Sequence, residues 1–244
     1  PATGRRVAVI GGGPTGLTAA YFLALMGHSV TVYERRKKFG GMLRYGIPRY
    51  RLPAKFLDED INVILSTGIE AYTNVEIGKD IQFSEIQEKF DGIYIAIGAH
   101  SYKKLRIPGE DAKNVMFAVE LLGSMGDEEP IDLTGKRVVV IGGGNVAMDV
   151  SRTAVRLGAK SVRVVYRRRQ SDMTALRAEI LGAVGEGVEM MTLLAPVEIL
   201  TDENGKYVSR GWRNIKINGE NIKPLLADAV SGCKNVMVKN RVNI

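Results

Sequence analysis

Three glycines with a fixed spacing stand near the start of the chain, at Gly11, Gly13 and Gly16. They form the pattern G-x-G-x-x-G, in which each position has its own physical reason. The first glycine permits a tight turn, the second lets a ligand approach the backbone, and the third lets a helix pack closely against a strand. Because free N–H groups at a helix N-terminus attract anions, the pattern predicts a site for the pyrophosphate of a dinucleotide.

A second copy of the pattern lies at Gly142, Gly144 and Ala147, with the alanine that the third position permits. The two copies differ at the end of the strand that follows each helix. Glu34 ends the first, and an acid there accepts hydrogen bonds from ribose hydroxyls. Arg167–Arg169 end the second. Because guanidinium groups bind a 2′-phosphate in bidentate fashion, the second copy is predicted to favour NADP(H) over NAD(H).

The elements around these residues repeat as well. Residues 4–27 and 135–158 align at a constant offset of 131, with nine of 24 positions identical. Each copy starts with an apolar run typical of a buried parallel strand and continues through a helix into a second strand. We therefore predict an α/β fold with two Rossmann-like dinucleotide-binding units. Two plainer interpretations stay open, namely a simple strand–helix turn at the first glycines and a solvated charge run at the arginines.

The composition limits what else the protein can be. Of 244 residues, 45% are apolar and 25% are charged, as in ordinary globular proteins. The single cysteine, Cys233, excludes an internal disulfide, a redox-active cysteine pair and a cluster held by four thiolates. The excess of 34 basic over 27 acidic residues suits anionic ligands, whereas nucleic-acid binding would need a concentrated patch. No metal site, nucleic-acid partner, membrane span or signal peptide is expected.

Residues 103–117 have the character of a linker, with a Pro-Gly turn at residues 108–109. We therefore expect a first domain over residues 1–108 and a second over residues 109–244. Between the first unit and the linker, residues 35–53 are rich in glycine, proline, arginine and tyrosine. They are interpreted either as a loop that approaches a ligand or as an ordinary surface connection.

Four segments carry a resemblance to a known family: TGRRVAVIGGGPTGLTAAYFLALMGHSVTVYE, FGGMLRYGIPRYRLP, YIAIGAHSYKKLRIPGED and GKRVVVIGGGNVAMDVSRTAVRLGAKSVRVVYRRRQSDM. Together they resemble the glutamate synthase small-subunit (β-subunit) family of FAD/NADPH oxidoreductases over about residues 3–205. The resemblance implies a glutathione-reductase-like FAD/NAD(P)-binding fold, with FAD on the first unit and NADPH on the second.

The resemblance also implies roles for particular residues. The residues implied to hold the FAD pyrophosphate and ribose are Gly11, Gly13, Pro14, Gly16 and Glu34. Those implied to lie along the rest of FAD are Gly41, Leu43, Arg49, Val75, Ala96, Ile97, Gly98 and Ala99. Those implied to meet the NADPH pyrophosphate are Gly143, Gly144, Asn145 and Val146, and those implied to meet its 2′-phosphate are Arg167 and Arg168. No residue of the chain itself is assigned a catalytic acid–base role, since the cofactors carry the chemistry.

The chain departs from the family pattern in four ways. A cysteine-rich iron–sulfur domain and the segment with which family members return to the FAD domain are both missing, so the FAD domain is expected to be incomplete and the chain a fragment. Thr174 stands where the family usually has proline, and residues 218–244 match no family segment.

The expected function is a cytoplasmic flavoprotein module that passes electrons from NADPH through FAD to an iron–sulfur domain or subunit. The alternative is a non-catalytic dinucleotide-binding or assembly fragment of a larger electron-transfer complex, which the incomplete FAD domain favours.

Overall fold

The computed structural model describes residues 1–99 and 104–200, together with the backbone of residues 212–214 and 235–239. Cys233 and His100 lie outside the described residues. Contacts divide the chain into two compact units. The first comprises Pro1–His100 with Gly123–Glu129, and the second comprises Ser101–Leu122 with Pro130–Ile244. The domain boundary expected near residue 108 stays a prediction.

The first unit is built on a parallel sheet. Its described strands are β1 (Arg6–Ile10), β2 (Ser29–Glu34), β3 (Glu70–Thr73) and β4 (Gly92–Ile95), in the order β3-β2-β1-β4. Its described helices are α1 (Pro14–Leu25), α2 (Met42–Tyr45), α3 (Ala54–Leu65) and α4 (Phe83–Lys89). Helix α5 (Ala118–Gly126) contributes residues to both units.

The second unit contains a second parallel sheet. Its strands are β5 (Val115–Phe117), β6 (Arg137–Ile141), β7 (Ser161–Tyr166), β8 (Glu189–Thr192) and, from the far end of the chain, β11 (Asn235–Lys239), in the order β5-β11-β6-β7-β8. An antiparallel pair is formed by β9 (Leu194–Pro196) and β10 (Trp212–Asn214). The helices that follow α5 are α6 (Asn145–Arg156), a 3₁₀ turn (Gln170–Asp172) and α7 (Arg177–Gly185).

Apolar packing explains why each unit forms a first strand, a helix and a second strand in succession. In the first unit, Val9 and Val32 are fully buried and pack with Ala20 of α1. In the second, Val140 and Met148 are fully buried in the core that β6, β7 and α6 share. Burial of one such side chain contributes about 1.5–3 kcal/mol.

The strand order repeats between the units. In each, the strand before the glycine turn lies between the second strand of the repeat and a later strand, as in the doubly wound fold. The structure thus has the predicted α/β fold with two Rossmann-like units. Within the described part of the chain, the helices are too short or too polar for any of them to cross a membrane.

Candidate dinucleotide-binding sites

In the first glycine turn, two of the three glycines of the pattern have no room for a side chain. Gly11 has φ 110°, and a Cβ placed on it would lie 2.3 Å from the carbonyl oxygen of Ala96. A Cβ on Gly16 would lie 1.9 Å from the carbonyl oxygen of Gly11. Both neighbours are backbone atoms that cannot move aside, so the turn needs glycine for conformation at Gly11 and for space at both positions.

Gly13, the second glycine of the pattern, faces open space instead. Among the described residues, the nearest atom to a Cβ placed on it is the Cα of Gly41, at 3.6 Å. Gly13 is the N-cap of α1, Pro14 begins the helix, and no described side chain caps the N-terminus. The free N–H groups and the positive end of the helix dipole therefore face a cradle that fits a pyrophosphate.

Glu34 is buried at the end of β2 and is held from two sides. Its Oε2 accepts a hydrogen bond from the N–H of Gly12 at 2.8 Å, and its Oε1 accepts one from the N–H of Arg36 at 2.8 Å. Each carboxylate oxygen keeps another acceptor site, so the group can still accept from a ribose hydroxyl. Val75 lies beside it, because its N–H donates to the carbonyl of Glu34 at 3.0 Å.

Sequence reasoning missed the importance of Gly12. Besides donating to Glu34, this buried residue leaves no room for a side chain, since a Cβ there would lie 2.2 Å from Cδ1 of Phe39. The signal in the sequence was the unbroken run of three glycines, of which the pattern uses only the outer two.

The residues just before α2 form a wall of the first site, opposite the glycine turn. Gly41 has φ 51°, and a Cβ on it would lie 2.7 Å from the Cα of Gly13, so only glycine permits this approach. Leu43 packs with Leu17 and Leu57 beneath the wall. Arg49 is exposed, and its Nη2 lies 3.3 Å from Oε1 of Glu128.

Arg44 anchors this wall, a role that sequence reasoning did not assign. Its side chain is only 5% exposed, its Nε donates to the carbonyl of Phe39, and its Nη2 pairs with Asp58 of α3. Nη1 is buried and has no hydrogen-bond partner among the described residues. The pair therefore fixes the two-glycine segment against α3.

The predicted FAD residues after β4 are only partly brought together. Ala96 continues the strand, its N–H donating to Ile10 at 2.8 Å, and it contacts the first glycine turn. Ile97, Gly98 and Ala99 follow it as an exposed segment, in which Gly98 has φ 69°.

The second glycine turn repeats the plan with different neighbours. Gly142 has φ 146°, and a Cβ on Gly143 would lie 2.6 Å from the ring of Tyr166. Gly144 is the N-cap of α6, and no described side chain caps that helix either. Ala147, at the third position, is fully buried, which explains why a residue no larger than alanine stands there.

Two further residues of the second turn have mainly structural contacts. The Oδ1 of Asn145 accepts a hydrogen bond from the N–H of Leu176 at 2.8 Å, just before α7. Val146 is partly buried and packs against the core of the second unit. Their expected contacts with the NADPH pyrophosphate stay a prediction.

The three arginines after β7 differ in whether they already have a partner. Arg169 pairs with Asp172 through Nε at 3.2 Å and Nη2 at 3.1 Å. Arg167 and Arg168 are exposed, and their side chains form no hydrogen bond or ion pair with the described residues. The pKa of Asp172 is lowered mainly by the hydrogen bond from Arg169 and to a smaller extent by the charge of Arg168. The N–H groups of Arg167 and Arg168 nevertheless remain available to an anion.

Two glycine turns, each between a central strand of a parallel sheet and the N-terminus of a helix, define a protein with two dinucleotide-binding units. The family described as pyridine nucleotide-disulphide oxidoreductase matches residues 5–217. The chain belongs to this family.

Individual relatives agree with the resemblance found in the sequence. The chain is 40% identical over 209 residues to the NADPH-Fe(3+) oxidoreductase subunit beta of Geobacter sulfurreducens. The match covers 84% of this chain and 31% of the relative. It is 36% identical over 214 residues to the glutamate synthase [NADPH] small chain of Escherichia coli, covering 84% and 45%. The predicted relation to glutamate synthase small subunits is confirmed, and the chain spans about a third to a half of the length of these relatives.

A solved structure supports the fold. FprA from Mycobacterium tuberculosis in complex with NADPH superimposes with a TM-score of 0.72 at 20% identity, covering 96% of this chain and 70% of that one.

Proposed function

We propose that the chain is the NADPH- and FAD-binding module of an oxidoreductase, and that it passes electrons from NADPH through FAD to an iron–sulfur domain or subunit. The observation that carries the proposal is the contrast between two otherwise similar sites. Each second glycine faces open space at a helix N-terminus, yet a buried Glu34 ends one strand and the exposed Arg167 and Arg168 follow the other.

The two strand ends suit different dinucleotides. Glu34 can accept from ribose hydroxyls, and its charge would repel a 2′-phosphate at the first site. Arg167 and Arg168 present cations where the second strand ends, which suits the 2′-phosphate of NADPH. We therefore assign FAD to the first unit and NADP(H) to the second, and the names of two relatives include NADPH.

The chain's own residues supply position rather than acid–base chemistry. Gly13 and Gly144 admit the pyrophosphates, and Gly41 with Arg44 forms the wall of the first site. FAD held at Gly13, Glu34 and Gly41 would supply the chemistry that couples hydride transfer from NADPH to one-electron transfer onward. An iron–sulfur acceptor and a cytoplasmic location are further parts of the proposal, and both rest on the relation to glutamate synthase small subunits.

A second candidate function is a dinucleotide-binding or assembly fragment without turnover. It is favoured by the edge of the first sheet, where β4 has no further neighbour among the described strands. Tyr94 and Ile95 on this strand are 40% and 59% exposed. Since exposed edges and apolar side chains invite another strand or chain, part of the FAD-binding domain can come from outside the described residues.

The test is the visible spectrum of the purified chain, reconstituted with FAD and then mixed with NADPH without oxygen. Flavin absorption that stays with the protein through gel filtration and bleaches on adding NADPH supports the oxidoreductase module. NADH serves as the matched control and should bleach it more slowly. A protein that cannot retain FAD would favour the fragment without turnover.

A further inference from the structure

The open space at Gly144 is bordered by a hydroxyl group. A Cβ placed on this glycine would lie 3.4 Å from Oγ1 of Thr174, and no other described atom outside its own turn lies within 4 Å. The corresponding space at Gly13 is bordered by the Cα of Gly41, which carries no hydrogen-bond donor. The second site thus has a polar wall where the first has an apolar one.

Thr174 is held in this position by its neighbours. Met173 and Ala175 are buried in the core of the second unit, so the threonine between them is left facing outward. The N–H of Ala175 donates to the carbonyl of Gly143 at 3.0 Å, and the bond between Leu176 and Asn145 holds the next residue. The segment is therefore fastened to the glycine turn at two consecutive residues.

The hydroxyl is available for a ligand. Thr174 is exposed, and its side chain forms no hydrogen bond with the residues that the structure describes. A pyrophosphate that approaches the backbone at the second glycine carries anionic oxygens into the space beside this donor. A hydroxyl next to such an oxygen forms a charge-assisted hydrogen bond.

We propose that Thr174 donates a hydrogen bond to the pyrophosphate of NADP(H) in the second unit. The inference rests on the proposed function, because it takes NADP(H) as the ligand of that unit. The resembling family is expected to have proline at this position, and proline lacks a hydroxyl.

The test compares two ligands by isothermal titration calorimetry on the full chain. NADP⁺ carries both the pyrophosphate and the 2′-phosphate, whereas adenosine 2′-monophosphate carries only the latter. Thr174→Val keeps the shape of the side chain and removes the hydroxyl. We expect it to weaken NADP⁺ binding about tenfold, as for loss of a hydrogen bond to a charged group, and to leave the binding of adenosine 2′-monophosphate unchanged.

Two controls accompany the test. Thr174→Ser keeps the hydroxyl and should bind NADP⁺ like the wild type. Thr134→Val removes the hydroxyl of another exposed threonine of the same unit, whose Oγ1 lies 3.4 Å from a Cβ placed on Gly158. It should leave the affinity for both ligands unchanged. Thermal unfolding of each variant checks that the fold is kept.

The outcomes separate this inference from the proposed function. If Thr174→Val binds NADP⁺ as the wild type does, or loses both ligands equally, the inference is overturned while the NADP(H) site stands. If the wild type binds neither ligand, the assignment of NADP(H) to the second unit is overturned, and the inference with it.

Discussion

Gly13 and Gly16 belong to the same turn but have opposite surroundings. The space around Gly13 is open, and its φ of −83° is one that alanine adopts readily. Gly16 is buried against the carbonyl oxygen of Gly11. Gly13 therefore leaves room for a ligand, and Gly16 lets the helix approach the strand.

Alanine at the two positions should separate binding from folding. We expect the free energy of unfolding of Gly13→Ala to lie within about 1 kcal/mol of the wild-type value, since exchanging an N-cap residue costs about that much. The same variant should lose most of its affinity for FAD. Gly16→Ala should lower the free energy of unfolding by about 2 kcal/mol or more through overpacking. Urea unfolding without FAD and flavin fluorescence titration measure the two effects. Wild-type FAD affinity in Gly13→Ala would contradict the assigned cradle.

The arginines after β7 offer a second comparison between single residues. Replacing Arg167 and Arg168 together by alanine should weaken NADP⁺ binding at least about tenfold, because charge-assisted bonds to the 2′-phosphate are lost. NAD⁺ lacks that phosphate, so its affinity should change little. Arg169→Ala is the matched control, since Arg169 is already paired with Asp172, and it should have the smaller effect. Equal losses for NADP⁺ and NAD⁺ in calorimetry would argue against a 2′-phosphate site.

At the scale of elements, the sequence predicted those helices and strands that local patterns determine, but not the features that depend on contacts between distant residues. Apolar runs and glycine spacing gave β1, α1, β6 and α6, because these features act within about one turn or strand. The pairing of Arg44 with Asp58, or of Arg49 with Glu128, joins residues whose spacing carries no signal. The strand β11 falls in residues 218–244, which matched no family segment. Its place between β5 and β6 depends on pairing with strands that lie far from it in the sequence.

Helices α6 and α7 are joined by an ion network centred on Glu186, just past the end of α7. Arg152 contacts Glu179 at 2.7 Å and Glu186 at 2.8 Å, and Arg156 also contacts Glu186. The hydrogen bond from Arg156 is the largest cause that lowers the pKa of Glu186 from 4.5 to about 2, and the one from Arg152 adds to it. The network thus fastens the helix after the second glycine turn to the helix after the arginines.

The pH dependence of stability should report this network. Because the pKa of Glu186 is lower in the folded state than in the unfolded state, its contribution is fully present above pH 4.5 and is lost as the pH falls towards about 2. We expect Glu186→Gln to be less stable than the wild type by about 1–2 kcal/mol at pH 7, after allowing for solvent screening, with the difference shrinking below pH 4.5. Urea unfolding at a series of pH values measures it.

The control for this prediction is Glu189→Gln. Glu189 pairs with Arg163, but its side chain is 55% exposed, so its loss should cost less than about 1 kcal/mol. A Glu186→Gln deficit that stays constant down to pH 2 would contradict the role of the charge.

At the scale of the whole molecule, the two units repeat one strand order but complete it differently along the sequence. All described strands of the first sheet come from Arg6 to Ile95. The second sheet needs β11 (Asn235–Lys239), whose neighbours on its two sides are β5 and β6. Contacts between residues distant in sequence form more slowly than local ones.

The first sheet is therefore expected to form before the second during refolding. Pulse-labelling hydrogen exchange should show the amides of β1 and β2 protected earlier than those of β5, which pairs only with β11 among the described strands. Simultaneous protection of both sheets would count against this order.

The placement of β11 also matters while the protein is being made. Once the ribosome has released Ile95, every described strand of the first sheet is present. The second sheet has to wait, because the gap between β5 and β6 is filled only when β11 (Asn235–Lys239) has emerged. A nascent chain, or one cut short by a premature stop before Asn235, would expose two unpaired strand edges to chaperones and proteases. A single late strand thus makes the integrity of the second unit depend on translation that continues past it.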